Sequence, residues 1–215
     1  MHTSNAQQLL NLNRNFYDTF AANFSASRSR LQTGIRISLA ALQPYDSILD
    51  VGCGDGRVLA ASRRHEPASH YMGLDFSRQL LDQTPTSPRC DFIYTNLTSP
   101  DWSTVLPNRF DAAICFSVLH HIPGRHRRIR LLREINTALK PGARCALSVW
   151  QFLQLSRLRR KIVPWEQIGL TETAVDPGDY LLDWRRGGHG LRYVHHFQPL
   201  ELHALCNETF WDCRR

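Results

Sequence analysis

The chain has 215 residues, of which 42% are hydrophobic, 10% aromatic and 21% charged, and this length suits a single domain with a core of its own. Its apolar runs fall far short of the ~20 residues of a membrane span, its start lacks a signal-peptide pattern, and its six cysteines contain no C-x-x-C pair, so we expect a cytoplasmic protein with no membrane contact and no bound metal. The net charge is +7, and its concentration in one stretch of the chain, described below, predicts an anionic partner.

The first predicted elements are two helices within residues 9–42. Phe16, Phe20 and Phe24 recur at i, i+4 and i+8, which places their side chains on one helical face. Further along the chain, the apolar positions of residues 127–140 predict another helix, for which Pro141 and Gly142 are the stop signal.

Short apolar runs alternate with these helical segments and are predicted to be buried strands. They are residues 47–51, 70–76, 91–96, 110–116 and 143–150. Strands that alternate with helices predict an α/β fold with a parallel, doubly wound sheet. Such sheets bind ligands at the carboxyl ends of their strands.

A glycine-rich loop follows the first of these strands. Residues 50–56 read DVGCGDG, with Gly52, Gly54 and Gly56 in the loop. The dinucleotide fingerprint G-x-G-x-x-G and the P-loop are both absent. Because Asp50 and Asp55 would repel a pyrophosphate, the loop favours a ligand that carries positive charge.

Polar and aromatic residues at the ends of the next strands complete a predicted nucleoside site. Asp75 ends the second strand, where a carboxylate can accept hydrogen bonds from a ribose diol. Phe76 is predicted to cover an adenine face, and Asn96 and Leu97 to lie at its edge. Phe116, at the end of the fourth strand, is assigned to the same site.

The chain resembles the class I S-adenosylmethionine-dependent methyltransferases. The resemblance lies in residues 50–56, 73–77 and 139–142. It implies a Rossmann-like doubly wound sheet, with S-adenosylmethionine as the methyl donor held by the residues named above. Residues 44–215 are then the methyltransferase domain, with an acceptor-side insertion at about 151–198, and residues 1–43 are a helical lead segment that covers the cofactor cleft.

A second resemblance is to the tRNA wobble-uridine carboxyl methyltransferases, which include the domain fused to an AlkB-type dioxygenase. It lies in residues 15–28, 120–121, 148–150, 179–184 and 192–197. This family methylates the carboxylate of 5-carboxymethyluridine in tRNA, and its eukaryotic members work with a small activator subunit. The resemblance therefore implies tRNA as the substrate and an activator as a partner.

Candidate acceptor-side residues follow from that chemistry. Arg28, Arg192 and His195 are predicted to hold the acceptor carboxylate, because arginine binds carboxylates through paired N–H donors. Because neighbouring side chains on an extended segment point opposite ways, one of His120 and His121 is predicted to be packed and the other to face the cofactor cleft, and His121 is assigned to the cleft. Stacking faces for an unstacked base are assigned to Trp150, Trp184 and Tyr193.

The basic charge is concentrated in one segment. Residues 121–161 contain eleven Arg and Lys and one acid, for +10, whereas the remainder has 15 bases and 18 acids, for −3. This segment is predicted to bind the phosphates of tRNA.

Two other functions remain open from the sequence. One is an O- or N-methyltransferase of small molecules, and the other is a catalytically degenerate partner subunit. The second is suggested by the carboxyl end, where a helix at 199–207 is followed by too few residues for the strand pair that usually completes the sheet. Residues 165–190 are predicted to be irregular, with a glycine-rich loop at 187–190.

Overall fold

The computed structural model describes residues 1–27, 31–41, 47–62, 70–209 and 211. The α-helices are α1 (Thr3–Ala26), α2 (Thr33–Ala40), α3 (Arg57–Ser62), α4 (Arg78–Leu81), α5 (Arg125–Thr137), α6 (Ser156–Arg159) and α7 (Pro199–Glu208). The strands are β1 (Ser47–Val51), β2 (His70–Asp75), β3 (Cys90–Tyr94), β4 (Phe110–Phe116), β5 (Leu139–Ser148), β6 (Ile162–Val163), β7 (Asp179–Trp184) and β8 (Gly190–His195).

The central sheet has five parallel strands in the order β3-β2-β1-β4-β5. The strand order reverses beside β1, which has β2 on one side and β4 on the other. This switch point leaves a crevice at the carboxyl ends of the strands, where open α/β sheets bind ligands. The predicted α/β fold is confirmed, and so are the two helices of the amino-terminal segment.

The junction between α5 and β5 differs from the prediction. The helix ends at Thr137 rather than at residue 140, and the strand begins at Leu139. Leu139 pairs with Phe110, after which the register shifts before Arg144 pairs with Ala112. The backbone pairing with β4 therefore overrides the local helical pattern, and the predicted stop signal at 141–142 lies inside the strand.

A second, antiparallel sheet is formed by β6, β7 and β8. It occupies residues that the sequence predicts to be an insertion. Within the segment predicted to be irregular, 165–190, Asp179–Trp184 form β7 and Gly190 begins β8, whereas 164–178 contain only short 3-10 turns and 185–189 form the loop between the strands. The hairpin between β7 and β8 packs closely against α1. A Cβ atom added to Gly190 would lie only 2.4 Å from the Phe20 ring. Glycine is thus required there by the close approach of a helix.

The main core lies between the central sheet and helices α5 and α7. Its side chains are apolar and almost fully buried: Leu49, Val51, Leu74, Ala113, Leu131, Leu132, Ile135 and Leu205. A second cluster joins the aromatic face of α1, predicted from the phenylalanine spacing, to Leu80 and Trp184. The lead helix is therefore packed against α4 and the antiparallel sheet rather than standing apart.

Within the part of the chain that the structure describes, α7 is followed by no strand, so that β5 remains an edge strand of the central sheet. The predicted helix at 199–207 is confirmed as α7. In the same described ranges, every helix is too short or too polar to cross a membrane.

Candidate active site

A cavity opens at the carboxyl ends of β1, β2 and β4, and α1 forms its opposite wall. The empty space between these elements is about 940 Å³ including the open mouth. The sheet side is lined by residues that follow the strands: Gly52, Cys53, Gly54, Asp55, Asp75, Phe76, Asn96, Leu97, Phe116 and Ser117. The helix side is lined by Gln7, Leu10, Asn13, Arg14, Tyr17 and Phe24.

The glycine loop turns sharply from β1 into α3. Gly52 and Gly54 have φ angles of +80° and +58°, a region that residues with a side chain rarely adopt. A Cβ atom on Gly52 would also lie 2.2 Å from Cγ2 of Val118. Backbone atoms rather than side chains therefore form this wall of the cavity.

Asp75 lies at the end of β2 and links the loop to the next helix. Its carboxylate accepts hydrogen bonds from the backbone N–H groups of Gly54 and Ser77, both at 2.9 Å. Burial raises the pKa of Asp75 to about 6, against the lowering effect of these hydrogen bonds. Ser77 then caps α4 by accepting from the Leu80 N–H, so that the carboxylate is fixed at the cavity wall.

Asp50 lies beneath the loop and is 1% exposed. Its carboxyl group accepts a hydrogen bond from the Tyr71 hydroxyl, and burial raises its pKa to about 7. Neither Asp50 nor Gly56 lines the cavity. Their predicted contact with the cofactor is therefore corrected to a role in shaping the loop, since a Cβ atom on Gly56 would lie 2.9 Å from Cδ of Pro85.

The rest of the cavity wall on the sheet side is formed by three apolar residues and two polar ones. Phe76, Leu97 and Phe116 line the cavity as the sequence predicts them to be placed. The Asn96 side chain accepts from the N–H and hydroxyl of Thr98 at 3.2 and 2.8 Å, which orders the turn after β3. Ser117 lines the cavity with a φ angle of +62°, a strained conformation for a residue with a side chain.

His121 faces the cavity and is held by two elements. Its Nε2 lies 2.8 Å from the Tyr17 hydroxyl of α1, and its Nδ1 lies 3.1 Å from the Tyr193 carbonyl of β8. A carbonyl can only accept, so Nδ1 donates to it, and in the neutral ring Nε2 then accepts from the Tyr17 hydroxyl. Asn13 fixes the helix to the same strand, since its side chain bonds to both the N–H and the carbonyl of Tyr193 at 2.8 and 3.1 Å.

Arg192 is buried in an aromatic cage beside this group. Its guanidinium carbon lies 5.3, 4.9 and 5.5 Å from the ring centroids of Phe16, Trp150 and Trp184. Burial lowers the pKa of Arg192, and its interaction with Tyr17 opposes that shift. Among the described residues, nothing hydrogen-bonds to its Nε or Nη1. A buried cation whose donors are unsatisfied is costly, which makes it a candidate for binding an anion.

Two predicted acceptor residues lie elsewhere. Tyr193 and His195 project from the opposite face of β8 to Arg192, because side chains alternate along a strand. The Tyr193 hydroxyl donates to Asp179 at 2.7 Å, and His195 contacts Asp179 and Glu201 at 2.7 and 2.8 Å. The predicted grouping of these two side chains with Arg192 is therefore wrong.

The other sequence-based assignments divide as follows. Arg28 lies outside the described residues. Trp150 and Trp184 contact Arg192, although neither lines the cavity. Tyr17 is not predicted from the sequence, because its neighbours in the phenylalanine stripe indicate packing rather than chemistry.

In the described ranges, His, Cys, Asp and Glu side chains form no group of three or more suited to a metal ion.

Comparison with known proteins bears on this geometry. The family model described as "Methyltransferase domain" matches residues 49–145. The human protein "Probable tRNA methyltransferase 9B" is 30% identical over 156 residues, which are 71% of this chain and 33% of that protein. The tRNA (carboxymethyluridine(34)-5-O)-methyltransferase ALKBH8 of Macaca fascicularis is 30% identical over 138 residues, or 64% of this chain and 20% of that protein.

The chain thus spans a third or less of the length of these curated relatives. Among solved structures, a DhpI–SAM–HEP complex superimposes with a TM-score of 0.70 at 18% identity, over 96% of this chain and 91% of that one. That likeness supports the fold alone. Residues 49–145 are thus similar to a methyltransferase domain, and the chain has a Rossmann-like doubly wound fold like that of class I methyltransferases.

Proposed function

We propose that the protein uses S-adenosylmethionine to methylate the carboxylate of a modified wobble uridine in tRNA. The observation that carries this proposal is the cage around Arg192, which holds a buried cation with unsatisfied N–H donors. A carboxylate is the group that such a site would bind, since charge-assisted hydrogen bonds from arginine satisfy it. The names of the curated relatives, which are tRNA methyltransferases, support the same acceptor.

The cavity residues suit the donor. The Asp75 carboxylate would accept from the ribose diol, and Phe76 and Leu97 would enclose the adenine. The backbone of Gly52 and Gly54 would pass close to the methionine part. When bound, S-adenosylmethionine supplies an electrophilic methyl group on its sulfonium.

On the acceptor side, the chain's own residues orient the nucleophile and exclude water. A carboxylate is already ionised at pH 7, so no general base is needed. Arg192 would hold it, while Trp150 and Trp184 would present aromatic faces to the base. Tyr17 interacts with both Arg192 and His121 at the cavity wall. It would therefore join the proposed acceptor site to the proposed donor site.

The test is methyl transfer from labelled S-adenosylmethionine to tRNA that carries 5-carboxymethyluridine. We expect label in an ester that mild alkali releases, and none in the same tRNA without the carboxymethyl group. The assay is run on the chain alone and with the activator subunit that the family resemblance implies. Label in an alkali-stable product, or in free metabolites only, would contradict the proposal and favour the small-molecule alternative.

A catalytically degenerate protein is distinguished by donor binding. Calorimetry with S-adenosylmethionine is expected to give a binding signal for the wild-type chain and none for Asp75→Ala. The absence of binding by the wild-type chain would favour a partner subunit without activity.

A further inference from the structure

An exposed basic surface lies beside the antiparallel sheet. It combines residues from two segments that are distant in the chain, one around α6 and one in the turn after β7. We call it the β6–β7 basic surface. It consists of Arg157, Arg159, Arg160, Lys161, Arg185 and Arg186.

The pairing of β6 with β7 brings these segments together. Ile162 pairs with Leu182 and Val163 with Leu181, and the N–H of Asp183 donates to the Lys161 carbonyl at 2.8 Å. Asp183 is also the one acid within the two segments 157–163 and 181–186, and it is paired with Arg185 at 2.7 Å. The surface therefore carries a net positive charge of several units.

This surface adjoins the proposed acceptor site. The Trp184 ring lies 5.5 Å from the guanidinium carbon of Arg192 and 5.8 Å from Nζ of Lys161. One aromatic ring thus separates the caged arginine from the start of the basic surface. A nucleotide whose base reached the cage would place its phosphates near these side chains.

The basic residues of α5 are differently placed, although they belong to the same segment of high charge. Arg127 and Arg128 are buried, Arg130 donates to the Thr98 carbonyl at 2.9 Å, and Arg125 is paired with Glu208. Most of the arginines of α5 are therefore buried or paired within the fold. The anionic partner predicted for residues 121–161 is better assigned to their last five residues, together with the turn after β7.

We propose that the β6–β7 basic surface binds the phosphate backbone of RNA on either side of the acceptor nucleotide. This inference rests on the proposed function, which makes the acceptor a nucleotide of tRNA. Phosphate contacts set affinity and register without reading sequence, which suits an enzyme whose cage recognises the modified base. Five side chains of the surface are exposed: Arg157, Arg159, Arg160, Arg185 and Arg186.

The experiment compares two triple variants with equal loss of charge. The first is R157Q/R159Q/R160Q, and the matched control is R89Q/R109Q/R133Q. The control residues are also exposed, and Arg89 and Arg109 precede β3 and β4, at the end of the sheet opposite the cavity. Binding of an anticodon stem-loop RNA that carries 5-carboxymethyluridine is measured at several salt concentrations.

For the first variant we expect affinity at low salt to fall about tenfold or more, and the slope of log affinity against log salt to decrease by about 2, since each phosphate contact contributes ~0.7–0.9. The control is expected to keep at least half of the wild-type affinity. S-adenosylmethionine binding, measured by calorimetry, should be unchanged in both variants.

Equal RNA binding by the two variants would overturn the inference. It would also be overturned if the first variant lost binding to phosphatidylserine vesicles while its RNA binding stayed unchanged. Failure of the proposed function has a different signature: the wild-type chain would transfer no methyl group to the carboxylate, while the difference in salt slope between the variants would persist and support the inference.

Discussion

The Tyr17 hydroxyl lies 2.8 Å from Nε2 of His121, so that a residue of the lead helix meets a residue of the loop after β4 at the wall of the cavity. The same hydroxyl contacts the Arg192 side chain. Donor side and acceptor side are therefore connected through a single phenol.

The first prediction concerns this hydroxyl. Tyr17→Phe keeps the ring that packs edge-on against Phe24 and Phe76 but removes the hydroxyl that bonds to His121 and interacts with Arg192. We expect kcat for methyl transfer to fall about tenfold, because the acceptor carboxylate is less well oriented, with less than a twofold change in S-adenosylmethionine affinity. Steady-state kinetics and calorimetry measure the two effects. Tyr94→Phe, at an exposed tyrosine, is the matched control and should leave kcat unchanged.

The second prediction is that the caged arginine lowers stability. Arg192 is 3% exposed, and its charge is desolvated without a carboxylate partner among the described residues. Arg192→Met should raise the free energy of unfolding by about 1–3 kcal/mol, as measured by urea denaturation, while carboxylate methylation falls at least ~10-fold. Arg133→Met, at an exposed position, should change neither. A destabilised Arg192→Met variant with full activity would contradict the proposed role.

The third prediction is a pH dependence of donor binding. Burial raises the pKa of Asp75 to about 6, and only the ionised carboxylate accepts from both hydroxyls of a ribose. The affinity for S-adenosylhomocysteine should be constant above pH 7 and fall by up to about tenfold per unit below pH 6. Asp75→Asn should bind weakly and with a flat profile between pH 5 and 8. A flat profile for the wild-type chain would exclude Asp75 as the ribose acceptor.

The sequence predicted the central sheet closely because its strands are continuous apolar runs. The bounds of β1 and β4 agree with the prediction, and Asp75 ends β2 as expected. In a parallel sheet, the residues that follow the strands must converge at one edge, so that the cavity wall on this side could be located from spacing alone.

The acceptor side could not be predicted in the same way. The sequence does not predict β8 at Gly190–His195, and without the alternation of a strand it groups the neighbours Arg192 and Tyr193 at one site. Charge counts also failed on α5, since a sequence does not show that Arg128 is buried by α7, β7 and β8. Both errors arise from contacts between residues that are far apart in the sequence, and local sequence patterns do not show such contacts.

The side chains opposite Arg192 on β8 lead to the last prediction, which concerns stability. His195 has both ring nitrogens beside carboxylates, Asp179 at 2.7 Å and Glu201 at 2.8 Å. Burial lowers its pKa, but the hydrogen bonds to these carboxylates raise it more, so that the net shift is upward. Arg128, which hydrogen-bonds to both acids, is the other basic residue of this network.

Because the folded pKa of His195 lies above its unfolded value of 6.5, the stabilisation is fully present below pH 6.5 and is lost as the pH rises through the folded pKa. The unfolding free energy of the wild-type chain, measured by urea denaturation, should therefore exceed that of His195→Gln by more at pH 6 than at pH 9. Methyl transfer by the variant at pH 7 and 20 °C below its unfolding midpoint should stay within about twofold of wild type, since the side chain points away from the cage. A selective loss of kcat with unchanged stability would instead return His195 to the acceptor site, and with it the face of β8 that carries Tyr193.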